Sequence, residues 1–166
     1  MLDVGAGVGA VHLSLLESGA AAAVDVDASS AYVGAARDEA ARRGVSDRVR
    51  HEVGDFVALA PSVGEADLVV LDRVVCCYGD MAALVSLSAE RARRRYGLVY
   101  PRDAAWIRFG FRVANAVSRL FQSETRIYVH RTADVDGLVR AAGLSPAARR
   151  TNVFWQMVVY ERPAPA

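Results

Sequence analysis

Met1-Leu2-Asp3-Val4-Gly5-Ala6-Gly7-Val8-Gly9 places an acidic residue and three alternating glycines at the end of a short apolar run, with a second acidic pair, Asp25 and Asp27, further along. The pattern predicts a strand that turns sharply into a helix. Glycine has no Cβ, so a turn built on Gly5, Gly7 and Gly9 can adopt strained dihedrals and bring its backbone against a ligand that side chains would hold away. Ala21-Ala22-Ala23-Val24-Asp25-Val26 is a second apolar run and puts Asp27 at the tip of a second strand. A carboxylate there can accept both hydroxyls of a ribose. The opening reads as a loop for a nucleotide-type cofactor.

Two cofactor classes use this layout. Gly5-x-Gly7-x-x-Ala10 also satisfies the looser dinucleotide fingerprint, so the glycines alone do not choose between them. Three further features favour S-adenosylmethionine. Asp3 stands two residues before the first glycine, where a carboxylate can meet the amino group of a bound amino-acid moiety, directly or through water. Val53-Gly54-Asp55-Phe56 offers an acceptor for an adenine amino group and an aromatic face beside it. All 20 basic residues are arginine, and the chain has no lysine. That excludes a Walker phosphate loop, a Schiff-base mechanism and the Tyr-x-x-x-Lys pair of many small dehydrogenases, because guanidinium cannot replace a compact or titratable ammonium.

With these residues in view, the chain resembles the class I S-adenosylmethionine-dependent methyltransferases over nearly its whole length. Leu2 to Gly9 resembles the family's first motif and Ala23-Val24-Asp25-Val26-Asp27-Ala28-Ser29 its second. Val53 to Phe56 resembles the adenine-contacting segment, and Ala66-Asp67-Leu68-Val69-Val70-Leu71-Asp72 the fourth strand. The resemblance implies that Asp3, Gly5, Ala6, Gly7 and Gly9 face the methionine portion, Asp27 and Ala28 the ribose, and Asp55 and Phe56 the adenine, with Asp72 also at the cofactor. A fainter likeness, carried by Leu71 to Tyr78 and Tyr100-Pro101-Arg102-Asp103, is to magnesium-protoporphyrin O-methyltransferases. Where those commonly have Pro-Asp after the fourth strand, this chain has Gly79-Asp80, which loosens the turn.

The 166 residues, 53% hydrophobic and 23% charged, suit a single globular domain over 1–166. A net charge of +1 gives no global field for nucleic acid, so the expected partner is a small-molecule substrate. No run is long enough to span a bilayer and no signal peptide is evident, which predicts a cytoplasmic protein. The periodicity alternates as a Rossmann-like α/β fold requires: a doubly wound, mostly parallel sheet closed by a C-terminal antiparallel hairpin. Helices are predicted at 11–18, 29–43, 81–95, 104–121 and 132–142. Strands are predicted at 48–53, 67–71 (buried on both faces), 97–100, 146–151 and 154–162, and seven strands would be the family number. Met1 lies only two residues before Asp3, so strand 1 is expected to be truncated at its N-terminus, leaving its neighbours short of backbone partners.

Methyl transfer from a sulfonium is an in-line displacement, and holding the nucleophile close to the methyl in a dry site supplies most of the catalysis. A hydroxyl or amine acceptor needs a base, whereas an ionised carboxylate does not. Asp72 and Tyr100, at the carboxyl ends of strands four and five, and His130 are the candidate catalytic residues. The plainer roles are a helix cap or an Arg73 partner for Asp72, and a capping or surface residue for His130. Cys76-Cys77 lacks the spacing of a metal site and reads as small packing residues beside the pocket. Glu90-Arg91-Ala92-Arg93-Arg94-Arg95 reads as cations offsetting the end of a helix, and otherwise as a phosphate patch.

In the 104–121 helix Trp106, Phe109, Val113, Val117, Leu120 and Phe121 share one side and Arg108, Arg112 and Arg119 another. The aromatic side is core, a cap over an apolar acceptor whose carboxylates the arginines receive, or a peripheral membrane contact. The expected function is O-methylation of a largely apolar or carboxylate-bearing small molecule. An NAD(P)-dependent oxidoreductase of the same broad fold and a truncated, inactive methyltransferase paralogue are the alternatives.

Overall fold

The structure is a computed structural model and describes residues 1–120 and 127–163. Phe121 lies outside that range, and so do the side chains of Arg119 and Leu120. The chain runs β1 (Leu2–Val4), α1 (Ala10–Glu17), β2 (Ala23–Asp27), α2 (Ser30–Arg42), β3 (Val49–Val53), α3 (Phe56–Leu59) and β4 (Ala66–Asp72). It continues through α4 (Met81–Glu90), β5 (Ala92–Pro101), α5 (Ala105–Leu120), α6 (Thr132–Ala141), β6 (Ser145–Thr151) and β7 (Trp155–Glu161).

Seven strands form one sheet in the order β3-β2-β1-β4-β5-β7-β6. The first five are parallel, and β7 runs antiparallel to both β5 and β6, which makes the expected closing hairpin. From β1 the chain winds outward through β2 and β3, then returns to the other side of β1 with β4. That reversal opens a crevice at the carboxyl ends of β1 and β4, where open α/β sheets receive ligands. β1 is three residues long yet paired on both sides, and the Met1 carbonyl accepts the Val24 amide beyond it.

Strand alternation sorts the core into two layers. Leu2, Val4, Val26, Val69, Leu71, Leu98 and Tyr160 point to one face, under α3, α4 and α6, in the larger hydrophobic cluster. Ala23 points to the other face and packs with Leu13, Leu16, Ala40 and Val45 under α1 and α2. β4 is not buried on both faces as expected: Val69 and Leu71 are buried, whereas Leu68 and Val70, on the opposite face, are only half-buried.

Local chemistry marks most element ends. The Ser29 hydroxyl accepts the Tyr32 amide at the start of α2, and Asp80 accepts the Ala83 amide at 3.0 Å at the start of α4. Asp80 therefore gives the Gly79-Asp80 turn a firm helix start. The helix predicted over 81–95 ends at Glu90, five residues early. Ala92 to Tyr96 instead extend β5, because Ala66 and Leu68 to Val69 of β4 pair with them on one edge and Glu161 and Tyr160 of β7 on the other. Two sheet edges outweigh the helical preference of Ala and Arg, since tertiary pairing overrides intrinsic propensity. Only the start of the arginine run is a helix end: Glu90 closes α4 and Arg91, its C-cap, donates to the Ala60 carbonyl, whereas Arg93 and Arg95 lie in β5 and pair with Glu65 and Glu161.

The reading of the α5 aromatic side as core is also overturned. Ile107 is buried, but Trp106 is 54% and Phe109 68% exposed, and Val113 and Val117 lie open beside them. The Trp106 ring meets Phe154 edge-on at 5.4 Å. Among the described residues no helix is long and apolar enough to cross a membrane.

Candidate functional site

The three loop glycines all have positive φ, but for different reasons. At Gly5 (φ +66°) a Cβ would stand 2.5 Å from Val74 Cγ2, so β1 can pass under the segment after β4 only without a side chain. At Gly7 (φ +57°) a Cβ would meet nothing within 4 Å. The space on the side where a Gly7 side chain would stand is open, while its N–H is turned to Asp27.

Asp27 joins the loop to the tip of β2. Its Oδ2 accepts the Gly7 amide at 2.9 Å and its Oδ1 the Ser29 amide at 2.8 Å. Each carboxylate oxygen has two lone pairs, so both can still accept a hydroxyl. Beside it lies a cavity of about 170 Å³ lined by Gly5, Asp27, Ala28, Asp55, Phe56 and Tyr78, among others. Whole small-molecule sites run to about 300–1,000 Å³. The cavity therefore has room for one end of a nucleoside-type ligand.

Asp55 caps α3 by accepting the Val57 amide, and the Tyr78 hydroxyl donates to both of its oxygens at 2.8 Å. Burial first, and then that bond to a carboxylate, push the Tyr78 hydroxyl up to about 12, so it remains a donor at neutral pH. Phe56 is buried in the larger core cluster and forms the cavity floor.

Asp3 lies beneath the loop rather than in the groove. It is fully buried, and its Oδ2 accepts the His12 amide at 3.2 Å and lies 3.0 Å from His12 Nδ1. On the same sheet face Asp3, Asp25 and His51 sit in register across β1, β2 and β3, with His51 Nδ1 2.7 Å from Asp25 Oδ2. Two carboxylates and two imidazoles thus share one buried layer below the glycines. Burial raises the Asp25 carboxyl above its ordinary range, against the opposing pull of the His51 hydrogen bond. The His12 ring also sits where a Cβ on Gly9 would go, 2.8 Å from it, so this layer props up the loop's helical end.

The three candidate catalytic residues do not converge on the groove. Asp72, at the end of β4, is held by Arg73, whose Nη2 lies 3.0 Å from its Oδ2. Tyr100 points away from the loop, towards α6. It is fully buried, its hydroxyl has no partner in hydrogen-bond geometry, and Thr132 and Arg149 are its polar neighbours. The alternation of β5 dictates this, since Tyr96, Leu98 and Tyr100 share the α4–α6 face. His130 is half-buried, stacks on Tyr128 and has Nε2 3.1 Å from the Val75 carbonyl. Burial lowers its pKa, so it is neutral at pH 7 and donates that proton to the carbonyl.

Tyr78, His12 and His51 were not singled out from the sequence. Tyr78 lies 23 residues from Asp55, and no local pattern links them. The histidines left a faint signal: His51 sits two residues before the end of its strand, as Asp25 does in β2, so equal strand depths place them side by side.

A cavity of about 480 Å³, larger than the one beside Asp27, opens at the opposite, amino-terminal edge of the sheet near Met1, Ala22, Glu65 and Arg93. None of Gly5, Gly7, Gly9, Asp27 and Asp55 lines it.

Known proteins resemble this arrangement. Residues 1–94 match the sequence profile of a family described as a methyltransferase domain. Ribosomal protein L11 methyltransferases of Enterobacter sp. strain 638 and Erwinia tasmaniensis are 32% identical over 87 residues and 33% identical over 95. The aligned parts cover 52% and 55% of this chain but only 29% and 30% of those proteins. The chain thus matches under a third of the length of these curated relatives. Among solved structures, magnesium protoporphyrin IX methyltransferase of Synechocystis PCC 6803 with bound S-adenosylhomocysteine superposes with a TM-score of 0.78 at 25% identity, covering 98% of this chain and 73% of that one. An O-methyltransferase family protein from Burkholderia thailandensis gives 0.79 at 16% identity over 99% of this chain and 51% of that one, a likeness of fold alone.

Proposed function

The chain belongs to the methyltransferase-domain family, class I and S-adenosylmethionine-dependent, and from that premise we propose that it methylates an oxygen of a small, largely apolar, carboxylate-bearing acceptor. The observation that carries the donor side is the Gly7–Asp27 junction: a half-buried backbone turn with open space on the side of the absent Gly7 side chain, tied to a carboxylate with spare acceptor capacity. S-adenosylmethionine supplies an electrophilic methyl on a good leaving group.

In this reading Asp27 accepts the ribose hydroxyls and Asp55, oriented by Tyr78, accepts the adenine amino group above Phe56 and Ala28. Gly5, Ala6, Gly7 and Gly9 let the methionine portion lie on the backbone. Asp3 acts from below, holding the first turn of α1 through His12.

The acceptor is argued from what the candidate bases already do. Asp72 is paired with Arg73, His130 serves a backbone carbonyl and Tyr100 faces another layer. An acceptor that needs no base fits such a site, and an ionised carboxylate attacks directly. The Synechocystis relative, named for a porphyrin, agrees with a largely apolar small-molecule acceptor, and the open aromatic ridge of α5 suits one.

Calorimetric titration with S-adenosylhomocysteine, S-adenosylmethionine and NAD tests the donor side. Binding of the first two is expected, with loss of the signal in Asp27→Ala. Binding of NAD alone favours the oxidoreductase, silence with all three an inactive paralogue. Transfer of labelled methyl into base-labile esters tests the acceptor side.

A further inference from the structure

The segment between β4 and α4 carries both cysteines of the chain, side by side and both free. Their sulfurs are 3.6 Å apart and lie over the Arg73 carbonyl, at 3.3 Å for Cys76 and 3.8 Å for Cys77. Cys77 is exposed and Cys76 buried directly behind it. The contact between the two sulfurs, in which either thiol can donate, brings the Cys77 thiol down to about 6, while the same pairing and burial push Cys76 up. An exposed thiol of lowered pKa with a second, buried thiol in contact with it is the arrangement of an attacking and a resolving cysteine.

The same segment builds the groove wall. Val74 is the residue that Gly5 must clear, and the Tyr78 hydroxyl holds Asp55. The Cys76 carbonyl accepts the Tyr128 amide at 2.7 Å, and the Val75 carbonyl contacts His130. Whatever shifts residues 74–78 shifts the wall.

We propose that Cys76 and Cys77 form a dithiol modification site at the rim of the groove, one that reacts with small-molecule disulfides of the glutathione class and thereby weakens cofactor binding. The Cys77 thiolate attacks one sulfur of the disulfide, forming a mixed disulfide and releasing one glutathione thiolate. Cys76 then gives up its proton to solvent and attacks Cys77 Sγ, closing a bond between the neighbours and releasing the second glutathione thiolate. The protein loses two hydrogens, and one glutathione disulfide becomes two thiols. Neighbouring Cα atoms are about 3.8 Å apart across a trans peptide, whereas ordinary disulfides span about 4.4–6.8 Å. Closing the ring therefore bends the backbone of the segment, and Val74 and Tyr78 move with it. This consequence rests on reading the groove as the cofactor site; the thiol chemistry does not.

Intact-mass analysis of the protein incubated with glutathione disulfide at pH 7.5 tests the chemistry. The wild type is expected to pass through a one-glutathione adduct to a species two hydrogens lighter than the starting protein. Cys76→Ala should stop at the adduct, and Cys77→Ser should react far more slowly. Inert wild type, a stable adduct with both cysteines present, or disulfide-linked dimers overturn the proposal, and the chain has no other cysteine to confuse the result. S-adenosylhomocysteine affinity should fall about tenfold, the equivalent of roughly one charged hydrogen bond, and return with dithiothreitol. Unchanged affinity in fully oxidised protein also overturns it. Reduced protein that ignores S-adenosylhomocysteine refutes the proposed function instead, and the mass result alone then decides the thiol site.

Discussion

Replacing Gly5 and Gly7 separately by alanine tests whether the two glycines serve different ends. Both have φ near +60°, where an L-residue costs about 1–2 kcal/mol. For Gly7→Ala that is the whole cost, since its Cβ meets nothing. In Gly5→Ala the Cβ would also lie 2.5 Å from Cγ2 and 2.7 Å from Cβ of Val74, a β-branched side chain with little rotamer freedom to retreat. Overpacking of that kind adds about 1–3 kcal/mol, for a total of about 2–5 kcal/mol. At about 2–4 °C per kcal/mol for a chain of this size, Gly5→Ala should melt about 2–12 °C below Gly7→Ala. Cofactor affinity should separate them in another way. Gly7→Ala puts a methyl group into the open space and should weaken S-adenosylhomocysteine about tenfold or more while keeping most of its stability, a loss of about 1.4 kcal/mol or more. Differential scanning calorimetry and titration on the same samples read both. Equal melting temperatures, or undiminished binding by Gly7→Ala, would refute the division of roles.

Tyr78→Phe removes the hydroxyl that orients Asp55 and should weaken S-adenosylhomocysteine by about 0.5–1.5 kcal/mol with little change in melting temperature; tighter binding would mean that Tyr78 competes for Asp55. Tyr100→Phe deletes a buried hydroxyl without a partner, so chemical denaturation should show equal or greater stability and methyl transfer should persist; lost turnover with intact cofactor binding would restore a catalytic role. Burial lowers the His130 pKa in the fold, so the unfolded chain takes up the proton first as pH falls below the ordinary value of 6.5. The His130 contribution is therefore complete above that pH and lost as pH falls through the lowered value, and urea midpoints of wild type relative to His130→Gln should drop over that interval. A constant difference across it would show that His130 titrates normally. Asp27→Ala, already named, should abolish binding of S-adenosylhomocysteine.

Much of the architecture was legible because it rests on short-range rules. Glycines at alternate positions after an apolar run, a carboxylate at the next strand tip and an Asp-Phe pair at a helix start are local patterns, and Gly5, Asp27, Ala28, Asp55 and Phe56 do meet at one cavity. Element boundaries were readable to within a residue or two wherever a cap or glycine marked them, as at Ser29, Gly44 and Asp80. The exception was the stretch after Glu90, where strand partners from β4 and β7, invisible locally, claimed residues with helical preference.

By itself, then, the sequence determined the strand–loop–helix opening, the alternation of elements and the placing of Asp27 and Asp55 at one cavity, because each depends on backbone stereochemistry or on neighbours a few residues away. The tertiary structure alone decided that Tyr100 faces α6, that Tyr78 reaches Asp55, that Asp3, His12, Asp25 and His51 share a buried layer, and that the α5 aromatics stand open. These are contacts between distant segments, settled by strand register and by which face of the sheet each helix covers, and no local spacing encodes them.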